Sequence, residues 1–196
     1  MTQRPGPGFL EALAALRDAL DDLGAPCMII GGVAVIALGV ARLTVDIDAT
    51  VAAAETDADR LAGALGRQGI HPRIDDAIAF ARARHVFLGV HEASGTPVDV
   101  SLAWLPFEGD AIRARQEHDF AGVRIPIPRA EDLLIYKLVA SRPRDIDDAE
   151  SLLILHGPAM DLARIRRIVG EFAAVLEDEA RPRALEALIR KTGLGS

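Results

Sequence analysis

Apolar residues recur along the first third of the chain at two different periods, and the switch between them places the first elements. Residues 9–23 set Leu10, Leu13, Leu16 or Leu20, and Leu23 on one helical stripe, which Gly24 ends. Residues 27–30 form a continuous apolar run that reads as a buried strand, followed by Gly31-Gly32 and a short helical stretch over 33–38. Strand character returns over 46–51. Thr56 then reads as the N-cap of a helix over 57–67, with Gly69 as its stop. Residues 70–74 form a short extended segment, and 86–90 with 98–102 a hairpin around Glu92-Ala93-Ser94-Gly95. This order predicts an α+β fold, a mixed sheet with helices on one face.

Beyond Trp104 the pattern turns helical. Residues 109–116 read as a helix, 123–127 as extended chain, and 129–140, 145–156, 161–174 and 181–191 as four helices. Gly157-Pro158 and Pro182 punctuate them. The expected organisation is a mixed-sheet core over residues 1–106 and a mainly helical subdomain over 107–196.

Two of the strands carry acids where a buried face would want apolar groups. In Asp46-Ile47-Asp48 the side chains alternate, so both carboxylates share one face while Ile47 points inward. Like charges placed side by side on a strand repel, and a divalent cation with hard oxygen ligands, Mg²⁺ or Mn²⁺, is the usual compensation. A third acid, Asp99, stands between Val98 and Val100 and faces away from both. Upstream, Gly31-Gly32 lets backbone approach a ligand closely, and the residues after it can open a helix with free N–H groups toward phosphate.

Together, Ile30-Gly31-Gly32, a spacer of thirteen residues and Asp46-Ile47-Asp48 resemble the signature of the nucleotidyltransferase superfamily to which DNA polymerase beta belongs. The resemblance implies a palm-like core in which Asp46, Asp48 and Asp99 hold the metal. It implies further that Asp99 takes the proton of the attacking hydroxyl and that Gly31 and Gly32 admit the triphosphate. Arg42-Leu43-Thr44-Val45-Asp46-Ile47-Asp48, followed by Lys137, Ala140, Arg142, Arg144-Asp145 and Asp148, resembles the AbiEii-type toxin nucleotidyltransferases over roughly residues 27–155. There the matching positions assign Lys137 and Asp145 to the nucleotide, with Asp148 a weaker third. Arg42 and Thr44 orient the metal strand or touch phosphate; a structural Arg–Asp pair is an equal alternative. The family often has Ser where this chain has Gly32, so a hydroxyl toward phosphate is missing.

The resemblance implies Mg²⁺-dependent transfer of an NMP from an NTP to an acceptor hydroxyl, with release of pyrophosphate. The acceptor it implies is a tRNA 3′ end or other RNA, in a toxin with a separately encoded antitoxin. The helical subdomain would close the nucleotide cleft. Modification of a small hydroxylated molecule such as an antibiotic is the enzymatic alternative, and a non-catalytic NTP-binding regulator the alternative of a different class.

Composition narrows this only modestly. The 196 residues are half hydrophobic and carry a net charge of −7, which argues against broad nonspecific nucleic-acid binding. Residues 161–196 hold seven Lys/Arg against six Asp/Glu, so selective contact with a structured RNA stays open. Arg164, Arg166 and Arg167 are expected on a solvated helix face, and Trp104 and Phe107 in the core. The lone Cys27 excludes an internal disulfide and reads as a packing residue. No stretch has the length and apolarity of a membrane span, and the N-terminus lacks a signal-peptide core, so the cytoplasm is the expected compartment. The five histidines have no metal-ligand spacing, and GxSxG and Walker A motifs are lacking.

Overall fold

A computed structural model describes residues 5–194. By its internal contacts the chain divides into two units, one comprising residues up to Ala37 and Ala41–Pro128, the other Leu38–Val40 and the residues from Arg129 onward.

The first unit is built on a five-stranded mixed sheet in the order β1-β2-β5-β4-β3. Its strands are β1 (Cys27–Ile30), β2 (Ile47–Val51), β3 (Ile70–Pro72), β4 (Val86–His91) and β5 (Thr96–Leu102). Only β2 and β5 run parallel; the other neighbours are antiparallel. The alternation read in the sequence is kept. Ile47, Ala49, Val98, Val100 and Leu102 are buried, while Asp48, Asp99 and Ser101 alternate with them on a less covered face. Helix α1 (Pro7–Leu23) buries Leu13, Leu16 and Leu20 and packs against β5, β3 and α3 (Ala58–Arg67). Helix α2 (Gly31–Ala37) follows β1 directly. Burial pushes the Cys27 thiol up to about 11, with Arg115 opposing, so it stays protonated at neutral pH and serves packing.

Several local expectations need correction. No side chain caps α3 from Thr56; a 3-10 turn over Glu55–Asp57 leads in, and the Asp57 carboxylate accepts the Ala54 N–H at 3.2 Å. Helix α4 (Ala77–Arg84) lay outside the sequence pattern because its buried stripe is only Ala77 and Ala81, too small to mark an apolar face. The helix expected over 109–116 is α5 (Pro106–Arg113). Pro106 starts it, and the buried Glu108 carboxylate accepts the N–H groups of Trp104 and Leu105, each at 3.1 Å. Gln116 belongs instead to β6 (Gln116–Phe120), which forms a separate hairpin with β7 (Val123–Ile127). Ala121 and Gly122, both at positive φ, make its two-residue turn.

The second unit contains α6 (Ala130–Ala140), α7 (Pro143–His156), α8 (Leu162–Leu176) and α9 (Ala180–Lys191). Its charges are organised inside it. Asp132, fully buried, sits 2.8 Å from Arg129 and 2.7 Å from Arg164. Arg166 pairs with Glu186 and Arg167 with Glu171, so Arg164 is drawn inward while the other two occupy the expected surface. Lys137 on α6 is 6% exposed and reaches both Asp145 at 3.0 Å and Asp148 at 2.9 Å on α7. Arg142 adds a 2.6 Å contact to Asp145. Burial pushes the Asp145 carboxyl up, but hydrogen bonds from Arg142 and Lys137, with their charges, outweigh it and hold the group below the usual carboxylate value.

Lys137→Met is therefore expected to destabilise the protein by roughly 3–5 kcal/mol in urea unfolding, because two buried carboxylates lose their shared cation. The sign of the pH dependence follows from the lowered Asp145. Its contribution is in place above the unfolded-state value of about 3.9 and is lost as pH falls through the lower folded-state value. The penalty of Lys137→Met should accordingly be in full force at neutral pH and shrink only as pH falls below about 4. A variant as stable as the wild type at neutral pH would show that the cluster contributes nothing.

Candidate active site

Strand register brings the acids together. Asp48 on β2 is the direct partner of Asp99 on the parallel strand β5, and Ile30 at the end of β1 is the partner of Asp48 on the other side. Continuing across the sheet, Asp99 pairs with Leu88 on β4, whose carbonyl accepts the Arg73 N–H at 3.1 Å. One row thus runs Ile30, Asp48, Asp99, Leu88, Arg73. Asp46 lies just before β2 and is exposed. Its Oδ1 accepts a 2.8 Å hydrogen bond from the Thr44 hydroxyl.

The two glycines have a concrete steric task. Gly31 is at φ 61°, and a Cβ there would lie 2.8 Å from Asp48 Cγ and 2.9 Å from Asp48 Cβ. A Cβ on Gly32 would stand 2.8 Å from Thr44 Cβ and 3.2 Å from the Arg42 guanidinium. The Gly-Gly turn is the seat of the acidic segment's own side chains. Thr44 and Arg42 also line a cavity of about 360 Å³ with Pro5, Gly6, Phe9, Ile36 and Leu43.

Arg73 has no counterpart in the sequence reading. Its guanidinium donates to Asp99 Oδ2 at 3.0 Å and sits 2.9 Å from Oδ1; the two side chains are 33% and 27% exposed. Asp99 Oδ1 is buried and, off hydrogen-bonding geometry with Arg73, accepts no hydrogen bond. Burial pushes the Asp99 carboxyl above the usual range, Arg73 pulls it back, and the charge of Asp46 pushes it up again. No local pattern marked it: the pairing of 70–72 with 89–91, which sets Arg73 two strands from Asp99, is made between distant segments.

Among the described residues no group of three or more His, Cys, Asp or Glu is arranged to hold a metal ion as the side chains stand. Here Asp99 is engaged by Arg73, Asp46 by Thr44, and Asp48 is folded against Gly31. The donors themselves fit a hard divalent cation: Asp48 and Asp99 are neighbours in register, Asp46 is close enough to act on Asp99 by its charge, and one buried Asp99 oxygen lacks a hydrogen bond. Lys137, Asp145 and Asp148 meet one another inside the second unit. Trp104 is 62% exposed rather than in the core, and its ring stacks on His85 at 5.1 Å.

No family model matches the sequence, and no curated protein matches it. Solved structures do match. The antibiotic-resistance factor ANT(2'')-Ia, in solution, superposes with a TM-score of 0.61 at 16% identity, covering 86% of this chain and 93% of that one. Its crystal structure in complex with adenylyl-2''-tobramycin gives 0.55 at 17% identity, over 84% and 96%. An antigenic nucleotidyltransferase-like protein from Paracoccidioides brasiliensis gives 0.50 at 16% identity, over 92% of each chain. The chain has the α+β fold of these nucleotidyltransferases, and no described helix is long and apolar enough to cross a membrane.

Gly31→Ala is expected to displace the Asp48 carboxylate and to cost ~1–2 kcal/mol from the left-handed backbone alone. The lowered melting temperature should come with changed amide shifts at Asp48. Unchanged stability and an unmoved Asp48 would refute the seat assigned to Gly31.

Proposed function

We propose that this chain is a metal-dependent nucleotidyltransferase that moves an NMP from an NTP to an acceptor hydroxyl. The observation that carries the proposal is the register pairing of Asp48 with Asp99 beside the Gly31 seat, in a chain with the nucleotidyltransferase fold. Asp46, Asp48 and Asp99 would hold Mg²⁺ or Mn²⁺. When bound, the metal supplies positive charge to the phosphate oxygens and to the departing pyrophosphate. Asp99 is the proton acceptor for the attacking hydroxyl: burial raises its basicity, which suits a carboxylate to that task. Thr44 fixes the orientation of Asp46 through their hydrogen bond, and Arg42 beside it faces the same cavity.

The proposal assigns Lys137, Asp145 and Asp148 to the nucleotide, following the AbiEii-type resemblance. Their mutual burial equally supports a framework role, and NTP affinity of folded Lys137→Met protein separates the two.

For the acceptor, the motifs carry a tRNA 3′ end, as in the AbiEii-type toxins, with an antitoxin protein as partner. A small hydroxylated molecule is the second reading, favoured by the likeness to ANT(2'')-Ia over most of both chains. The expected result is that wild-type protein with Mg²⁺ and α-labelled NTP transfers label, and that Asp46→Ala, Asp48→Asn and Asp99→Asn do not. Asp99→Asn should melt no lower than the wild type, because ionising Asp99 is disfavoured in the fold. Label entering tRNA supports the toxin reading, and label entering an aminoglycoside supports the second. Transfer persisting in Asp48→Asn would sink the metal-site assignment.

A further inference from the structure

We propose that Arg73 is a resident counter-charge that occupies Asp99 until a divalent cation replaces it, so that metal loading is an exchange of one cation for another. The inference rests on the metal-site reading above and adds a residue that the motifs do not contain.

The geometry is that of a competitor. Arg73 follows β3 and is fixed by its N–H to Leu88 O, one strand from Asp99. Its guanidinium lies within 3.0 Å of both oxygens of Asp99, the acid whose register partner is Asp48. A cation held by Asp48 and Asp99 would need those oxygens. Guanidinium and metal cannot share them, because their like charges would sit within a few ångströms of one another. The side chains of Arg73 and Asp99 are each about one-third exposed, so the pair is open to exchange. Breaking the pair forfeits the hydrogen bond from Arg73 to Oδ2 and the 2.9 Å contact to Oδ1, both of which a cation at the same oxygens would replace. The displaced guanidinium stays anchored at the edge of the site by its backbone. Its planar fork is suited to phosphate oxygens, which ties metal uptake to arrival of the triphosphate.

The test is Mn²⁺ binding to the full chain without nucleotide, followed by the electron paramagnetic resonance of free Mn²⁺. Arg73→Gln should bind Mn²⁺ about tenfold more tightly than the wild type, the effect of removing one close cation from a partly exposed carboxylate. Arg73→Lys keeps the competing charge and should stay near the wild type; circular dichroism checks that both variants fold. Pyrophosphate added with Mn²⁺ should bind more weakly to Arg73→Gln than to the wild type. Equal or weaker Mn²⁺ affinity in Arg73→Gln overturns the exchange. If neither protein takes up Mn²⁺ yet the wild type transfers nucleotide with Mg²⁺, the exchange falls and the transferase reading stands. If binding and transfer are both missing, the two fall together.

Discussion

Crowding of acids around Asp99, which has Asp48 as register partner on the only parallel strand pair among the described residues and feels the charge of Asp46, is the constraint on which the rest of the site depends. Like charges gathered on neighbouring strands disfavour one another, and burial adds to the cost of ionising Asp99. The chain answers on each side of the pair. Gly31 gives Asp48 room to fold away against backbone, Arg73 supplies Asp99 with a positive charge, and Thr44 holds Asp46 by a hydrogen bond. Each is a local solution to one electrostatic problem. A framework alone would have no reason to create that problem on the less covered face of its sheet.

The second unit solves a similar problem by different means. There Lys137 is enclosed between two carboxylates, and Arg142 adds a second cation to Asp145, so charge is balanced within a few side chains. Such a cluster is costly to break and hard to rearrange. In the first unit the Arg73–Asp99 pair is partly open to water, where exchange with another cation is feasible. Similar residue types thus occupy very different energetic settings, and burial is what separates them.

The same architecture serves distinct substrates, and specificity resides in the groups that line the acceptor side. In this chain the cavity beside Arg42 and Thr44 combines the apolar surfaces of Phe9, Ile36 and Leu43 with a guanidinium and a hydroxyl.

Much of the framework was legible from side-chain periodicity. The strand over 27–30 follows from a continuous apolar run, the inward Ile47 and the alternation around Asp99 from a period of two, and the α1 stripe from a period of 3.6. Element ends were less legible where capping or small residues decide them. The buried Glu108 sets the start of α5, and α4 buries only alanines. By itself the sequence determined which residues alternate, where the chain must turn, and that Asp48 and Asp99 face away from their apolar neighbours, because these depend on neighbours along the chain. Only the tertiary structure decided that Asp48 faces Asp99, that Gly31 is filled by Asp48 and that Arg73 reaches the same carboxylate. Strand order and register are set by packing between distant segments, and no local pattern encodes them.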